Sequence, residues 1–224
     1  MSVASKLDLT LLSPTASDYD IEQLVADAIT NQIYAVCVSP TKVSKAVSLS
    51  SKADLKVASV VGFPTGNHST DVKLFEMQEA IRHGAHEIDM VANLSYIENR
   101  EWSLFQSELE QMLTSAETHG VILKVILESA LWSYDLLAEA SRKSSEVGVH
   151  YIKTSTGYSN SGGATLDAVS IMLDNAGDSK VKASGGIRTL ENAKSYLLLG
   201  VDRIGASSVG VLSSEPSLVD SNSY

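Results

Sequence analysis

Short apolar runs and longer amphipathic stretches alternate along the whole chain. The apolar runs are "KLDLT" (6–10), "YAVCVS" (34–39), "KVASVVGF" (56–63), "HEIDMVAN" (86–93), "ILKVILES" (122–129), "HYIKTS" (150–155), "KVKAS" (180–184) and "DRIGAS" (202–207). Their length and β-branched content predict eight strands. Between them, apolar residues recur at intervals of three and four. Examples are Ile21, Leu24, Val25, Ala28 and Ile29 within 20–32, and Trp102, Phe105, Leu109, Met112, Leu113 and Ala116 within 101–117. That spacing lines one face of a helix. Ser69, Thr70, Asp71 and Thr189 fit helix starts, and Gly84, Gly120, Gly148 and Gly200 fit helix ends. Strands alternating with helices imply a parallel sheet. Eight such units in 224 residues predict an α/β fold, a (β/α)8 TIM barrel, with an open doubly wound sheet as the alternative. One domain is expected over residues 1–212, and the polar residues 213–224 read as a flexible tail whose preceding helix is cut short at Gly210.

Several of these strands carry charges in their apolar context. Successive side chains on a strand face opposite sides. In "EIDMV", Ile88 and Met90 share one face, leaving Glu87, Asp89 and Val91 on the other. The same alternation groups Lys124 with Ile126 and Glu128, Lys153 with Tyr151 and Ser155, and Lys182 with Ser184. If the apolar phase packs against helices, the polar phase faces the barrel interior. Asp89, Lys124, Glu128, Lys153 and Lys182 then converge from four consecutive strands, toward the C-terminal mouth where barrel active sites lie. A structural ion network is the alternative for any one of these groups. Burying five ions is a poor stabiliser, because each costs several kcal/mol unless paired, so the set points to chemistry.

The net charge of −10 argues against nucleic acid or an anionic membrane as partner, since both require a cationic face. A phosphorylated small molecule fits, held by a few cations and backbone N–H groups. Cys37 is the single cysteine, which excludes an internal disulfide and a multi-cysteine metal site. No apolar run reaches ~18 residues. The start "MSVASKLDLT" has no signal-peptide core, so a cytoplasmic protein is expected and the Asn67 and Asn93 sequons read as chance matches.

Two lysines sharing one interior suggest a specific reaction. An ordinary lysine, with a pKa near 10.4, is protonated and inert toward carbonyls at neutral pH. A second ammonium and partial desolvation free the amine, making one lysine a Schiff-base nucleophile and the other its activator. Asp89 can relay protons. "TSTG" (154–157), "SGG" (184–186) and "GASS" (205–208) offer glycine N–H groups and hydroxyls, two of them after strands seven and eight, where barrels commonly hold phosphate.

With these residues in view, the sequence resembles the deoxyribose-phosphate aldolase family of class I aldolases. The segments that carry the resemblance are "LDLTLL", "VCVSP", "VVGFPTG", "EIDMVAN", "KVILES", "YIKTSTGYSNSGGAT", "KASGGIRT" and "RIGASS", in family order over nearly the whole chain. The resemblance implies Lys153 as the Schiff-base lysine, Lys182 as its activator, Asp89 as the relay carboxylate and Lys124 as a further lysine beside it. It implies Gly157, Gly185, Gly186, Ser207 and Ser208 as the phosphate site, with Cys37 beside the site or simply a small buried hydrophobe. The implied reaction is reversible cleavage of 2-deoxy-D-ribose 5-phosphate to D-glyceraldehyde 3-phosphate and acetaldehyde, with neither metal nor organic cofactor. A homodimer is compatible with it. Leu9, Ser13, Tyr158 and His68 depart from the commoner family residues, and Tyr158 leaves a side-chain phosphate contact there open. Some relatives end in tyrosine, which implies that Tyr224 folds over the mouth as a proton relay; a frayed terminus is the plainer alternative. Another class I aldolase, or a non-catalytic sugar-phosphate binder, remains the rival reading.

Overall fold

All eight apolar runs form strands, and the strands close into one parallel barrel in chain order, with β1 pairing both β2 and β8. The computed structural model describes residues 2–213. The strands are β1 (Leu7–Leu11), β2 (Ala35–Val38), β3 (Lys56–Val61), β4 (Glu87–Val91), β5 (Ile122–Ile126), β6 (Tyr151–Lys153), β7 (Lys180–Ser184) and β8 (Arg203–Ala206). The helices are α1 (Asp18–Thr30), α2 (Val43–Ser50), α3 (Thr70–Arg82), α4 (Leu94–Glu98), α5 (Trp102–Thr118), α6 (Tyr134–Val147), α7 (Leu166–Asn175) and α8 (Leu190–Leu199). A 3-10 turn, Val209–Leu212, stands where a helix after β8 would begin. Closure into a ring corrects nothing in the expected fold class and excludes the open sheet.

Alternation sorts the strand side chains. Ile88, Met90, Val125, Ile152, Val181 and Ile204 are buried between sheet and helices, in one continuous core with Leu109, Met112 and Leu137. Each such side chain contributes about 1.5–3 kcal/mol on leaving water. The opposite phase fills the barrel. On β2 and β3 it is small and apolar, with Cys37, Ala58 and Val60 packed against Leu12 and Phe63. On the other strands it carries charge.

Strands β3 and β4 stop at Val61 and Val91, before the expected 63 and 93, and two further strand ends shape the site. Strand β5 stops at Ile126 rather than continuing to 129, because Glu128 adopts a left-handed backbone (φ 53°) and Ser129–Leu131 form a 3-10 turn. Strand β6 is three residues long, so Lys153 is its last residue and sits at the mouth. The loops that follow β6 and β7 run into helices capped by threonine hydroxyls: Thr165 accepts from the Ala168 N–H and Thr189 from the Asn192 N–H. Such caps fix where a loop ends, typically worth ~1 kcal/mol.

Outside the barrel, Lys73 of α3 and Glu108 of α5 form a buried pair at 2.8 Å. Lys73 Nζ also donates to the Val91 carbonyl (2.8 Å), and the second Glu108 oxygen accepts the Asn93 N–H (2.8 Å). The pair therefore anchors the end of β4, the strand that carries Asp89. Gly62 leaves room for it: a Cβ there would lie 2.8 Å from Lys73 Cε. Among the described residues, no helix is long and apolar enough to cross a membrane.

Candidate active site

The inward phase of β1 and β4–β8 assembles a layered set of charges. At the floor, Arg203 donates from Nη1 to Asp8 (2.9 Å) and Glu87 (3.2 Å), with its guanidinium 3.7 Å from the centre of the Tyr34 ring. One layer higher, Lys124 contacts Glu87 at 2.6 Å and Asp89 at 2.7 Å. Lys182 bonds Asp8 and, at 2.8 Å, Asp89 Oδ2. Lys153, nearest the mouth, reaches the same Asp89 oxygen at 2.7 Å. Asp89, Lys124, Lys153 and Lys182 thus meet as expected, around one carboxylate.

Each group is buried, with Lys153 the most open of the three lysines at 4% exposure. Burial works against the charged form of Asp89, yet Lys124, Lys153 and Lys182 together hold it well below the ordinary carboxylate range. Asp8 is likewise lowered to about 2, burial being outweighed by Lys182, Lys124 and Arg203. Against its desolvation, Lys182 is held above its usual value by Asp8 and Asp89, and Lys124 well above by Asp89, Glu87 and Asp8. Lys153 alone of the three moves down: burial lowers it, Asp89 only partly offsets that, and the neighbouring Lys182 ammonium lowers it further. The arrangement can supply one free amine beside a retained ammonium.

Local structure locks the two lysines in register. Thr154, just after Lys153, uses its hydroxyl to donate to the Ser184 carbonyl (2.9 Å) and to accept the Ser184 N–H (2.9 Å). Ser184 in turn donates from Oγ to the Ser155 carbonyl (2.7 Å). Gly205 gives the Lys182 stem its space, since a Cβ there would lie 3.3 Å from Lys182 Cε and 2.9 Å from Ser184 Cβ.

The other expected residues are distributed as follows. Glu128 does not join the ion cluster; its left-handed backbone turns it to the Thr156 N–H and hydroxyl, which it accepts, and burial raises its pKa. Cys37 is fully buried inside the barrel, and burial pushes its thiol up to about 11, so it lines the site as a neutral group. Gly157, Gly186, Ser207 and Ser208 lie at the mouth with partial or full exposure. Gly186 has a left-handed backbone (φ +79°) and open space where a side chain would stand, whereas Gly185 packs against Gly163, 2.9 Å from a virtual Cβ. Ser208 accepts the Gly210 N–H. Tyr158 donates to the Leu12 carbonyl (2.9 Å) and meets Phe63 edge-on, tying the β6 loop to the β1 loop. Tyr224 lies outside the described residues. Asp8, Glu87 and Arg203 complete the cluster without having been singled out for a role. Among the described residues no group of His, Cys, Asp and Glu is arranged to hold a metal ion, and the three interior carboxylates face cations.

Residues 3–213 match the family model described as "DeoC/LacD family aldolase". The chain belongs to this family. It is 41% identical over 216 residues to the deoxyribose-phosphate aldolase of Natranaerobius thermophilus, covering 96% of this chain and 97% of that one. It is 38% identical over 209 residues to that of a Thermoanaerobacter species, covering 92% and 93%. Among solved structures, the tetrameric deoxyribose phosphate aldolase of Aeropyrum pernix superposes with a TM-score of 0.89 at 36% identity, over 97% of this chain and 92% of that one. Family membership makes this barrel an aldolase.

Proposed function

We propose that this aldolase cleaves 2-deoxy-D-ribose 5-phosphate reversibly to D-glyceraldehyde 3-phosphate and acetaldehyde through a Schiff base on Lys153. The observation that carries the assignment to Lys153 is its position: the outermost lysine, lowered by burial and sharing one Asp89 oxygen with Lys182. The free amine attacks the substrate aldehyde carbon and water leaves, forming the imine. The imine then accepts the electron pair of the C2–C3 bond as the C3 hydroxyl loses its proton, releasing glyceraldehyde 3-phosphate and leaving an enamine. Protonation of the enamine carbon and hydrolysis release acetaldehyde and restore the amine.

The neighbours divide the remaining work. Lys182, held protonated by two carboxylates, keeps Lys153 free of its proton and is the ammonium donor beside the imine. Asp89, held ionised by the Lys124 and Lys182 ammoniums, serves as proton acceptor, directly or through water, and Lys124 fixes its orientation from below. Backbone N–H groups at Gly157 and Gly186, with Ser207 and Ser208, receive the phosphate at the open mouth; Gly185 supports the loop that presents them. The reading extends to a self-associated enzyme, a homodimer being the simplest unit, for which the exposed Leu198 of α8 or Phe75 of α3 would each be a candidate contact. Light scattering decides that point.

Borohydride reduction in the presence of acetaldehyde, followed by peptide mapping, tests the assignment. A reduced two-carbon adduct on Lys153 is expected. An adduct on Lys182 would reverse the two roles, and no adduct on either would reduce the chain to a sugar-phosphate binder.

A further inference from the structure

Among the described residues, the barrel interior pairs three carboxylates, Asp8, Glu87 and Asp89, with four cations, Lys124, Lys153, Lys182 and Arg203. With every group in these ion pairs ionised the cluster carries one surplus positive charge; Glu128, also buried, is bonded to Thr156 and to none of the four cations, and offsets that surplus only across a distance. A buried uncompensated charge costs several kcal/mol, so one cation is under pressure to lose its proton. Arg203 cannot be that group, because a guanidinium keeps its proton inside proteins. Lys124 lies within 4 Å of three carboxylates and Lys182 of two. Lys153 has one, and shares its oxygen with Lys182. The surplus therefore falls on Lys153.

Arg203 is what creates that surplus. It sits on β8, paired in register with Lys182 on the neighbouring strand, and its bonds run to the floor rather than the mouth. Beyond Asp8 and Glu87, its Nη2 donates to the Tyr151 hydroxyl (3.4 Å), and the ring of Tyr34 covers its face. Tyr34 donates to Glu87 (2.9 Å) and Tyr151 to Asp202, so every polar neighbour of the guanidinium is itself held. The groups facing Lys153 are Asp89 from β4, Lys182 from β7, Cys37 from β2 and Glu128 beyond β5. None of them is bonded to Arg203, whose action on Lys153 runs through charge balance alone.

We propose that Arg203 is a positioning residue of the Schiff-base site: from the barrel floor it supplies the fourth positive charge, so that Lys153, the amine with fewest carboxylate partners, stands without its proton. The inference rests on the aldolase reading for its consequence, and on the ion-pair geometry for its cause. Without the guanidinium, three lysines balance three carboxylates, and Lys153 retains its proton at no net charge. The direction already found for Lys153, downward through burial and then Lys182, agrees.

The test titrates Lys153 without substrate, by the pH dependence of its acylation with acetic anhydride, read by peptide mapping. In Arg203→Met the midpoint is expected to rise by about one pH unit, a roughly tenfold loss of free amine at neutral pH. The acid limb of kcat/KM should rise with it, and borohydride trapping should recover at alkaline pH. Arg203→Lys, which keeps the charge, should stay near wild type. Glu87→Gln removes an anion and should move the midpoint the other way, downward. An unmoved Lys153 titration in folded Arg203→Met, even with activity reduced, leaves Arg203 a structural residue and overturns the proposal. If Arg203→Met does not fold, an unmoved or upward titration in Glu87→Gln overturns it alone. Failure of wild type to form an adduct sinks the aldolase assignment instead, and the labelling still decides the charge argument.

Discussion

Lys153 and Lys182 converge on a single oxygen, Asp89 Oδ2, at 2.7 and 2.8 Å. Two ammoniums on one acceptor repel each other, and the one with no second carboxylate yields. Lys182 has Asp8 as well. The relation predicts what happens when Lys182 is removed. In Lys182→Met the Lys153 pKa should rise, because a lowering charge is gone, and the amine fraction at pH 7 should fall at least tenfold. Turnover should recover in part as pH is raised. A pH–rate profile lowered but unshifted would mean that Lys182 acts only as a proton donor.

Lysine substitutions should separate by stability. Lys153→Met abolishes adduct formation yet removes an amine that stands uncharged and leaves the remaining three cations matched to three carboxylates, so its stability in urea should stay within about 1 kcal/mol of wild type. Lys124→Met leaves Glu87 and Asp89 short of their shared partner and should cost about 3–5 kcal/mol. Equal losses in the two variants would contradict the charge accounting.

Asp8 gives a pH dependence with a defined sign. Its carboxyl is lowered to about 2 in the folded protein, burial being overcome by Lys182, Lys124 and Arg203, against an ordinary value near 3.8. The stability it contributes is fully present above the unfolded value and is lost as pH falls through about 2. It amounts to roughly 2 kcal/mol. The gap in unfolding free energy between wild type and Asp8→Asn should therefore be constant from pH 5 to 7 and narrow below pH 4.

The paired glycines after β7 should behave differently. Gly186→Val places a side chain in the open mouth, so the Michaelis constant for the phosphorylated substrate should rise while acetaldehyde self-condensation persists. The left-handed backbone adds about 1 kcal/mol of strain. Gly185→Val drives a side chain into Gly163 and should damage both reactions together. Steady-state kinetics with the two substrates separates these outcomes.

Alternation along the strands was enough to place Asp89, Lys124, Lys153 and Lys182 in one interior, because the period of two holds wherever the backbone stays extended. It failed at Glu128, where a left-handed residue breaks the period and turns the carboxylate to Thr156. Asp8 and Arg203 sit in the same inward phase of "LDLT" and "DRIG" as the lysines do in theirs, so the signal was present. Their role was not, since it depends on β1 closing against β8. Nor can spelling distinguish Gly185 from Gly186: one meets a loop and the other meets open space only after the β6 loop has folded over.

The order of the charges along the chain bears on how the barrel assembles. All three interior carboxylates belong to β1 and β4, and all four cations to β5–β8. On the inward face of its strands, a half-barrel ending after β4 would carry only the negative members of this ion-paired cluster, and the other half only the positive ones. Neither can dehydrate its inner face alone, so the halves are bound to fold as one cooperative unit rather than in succession. The break between them falls at residues 94–101, around the short helix α4. Two fragments divided there would carry opposite inner charges, and each would be the electrostatic complement that the other lacks.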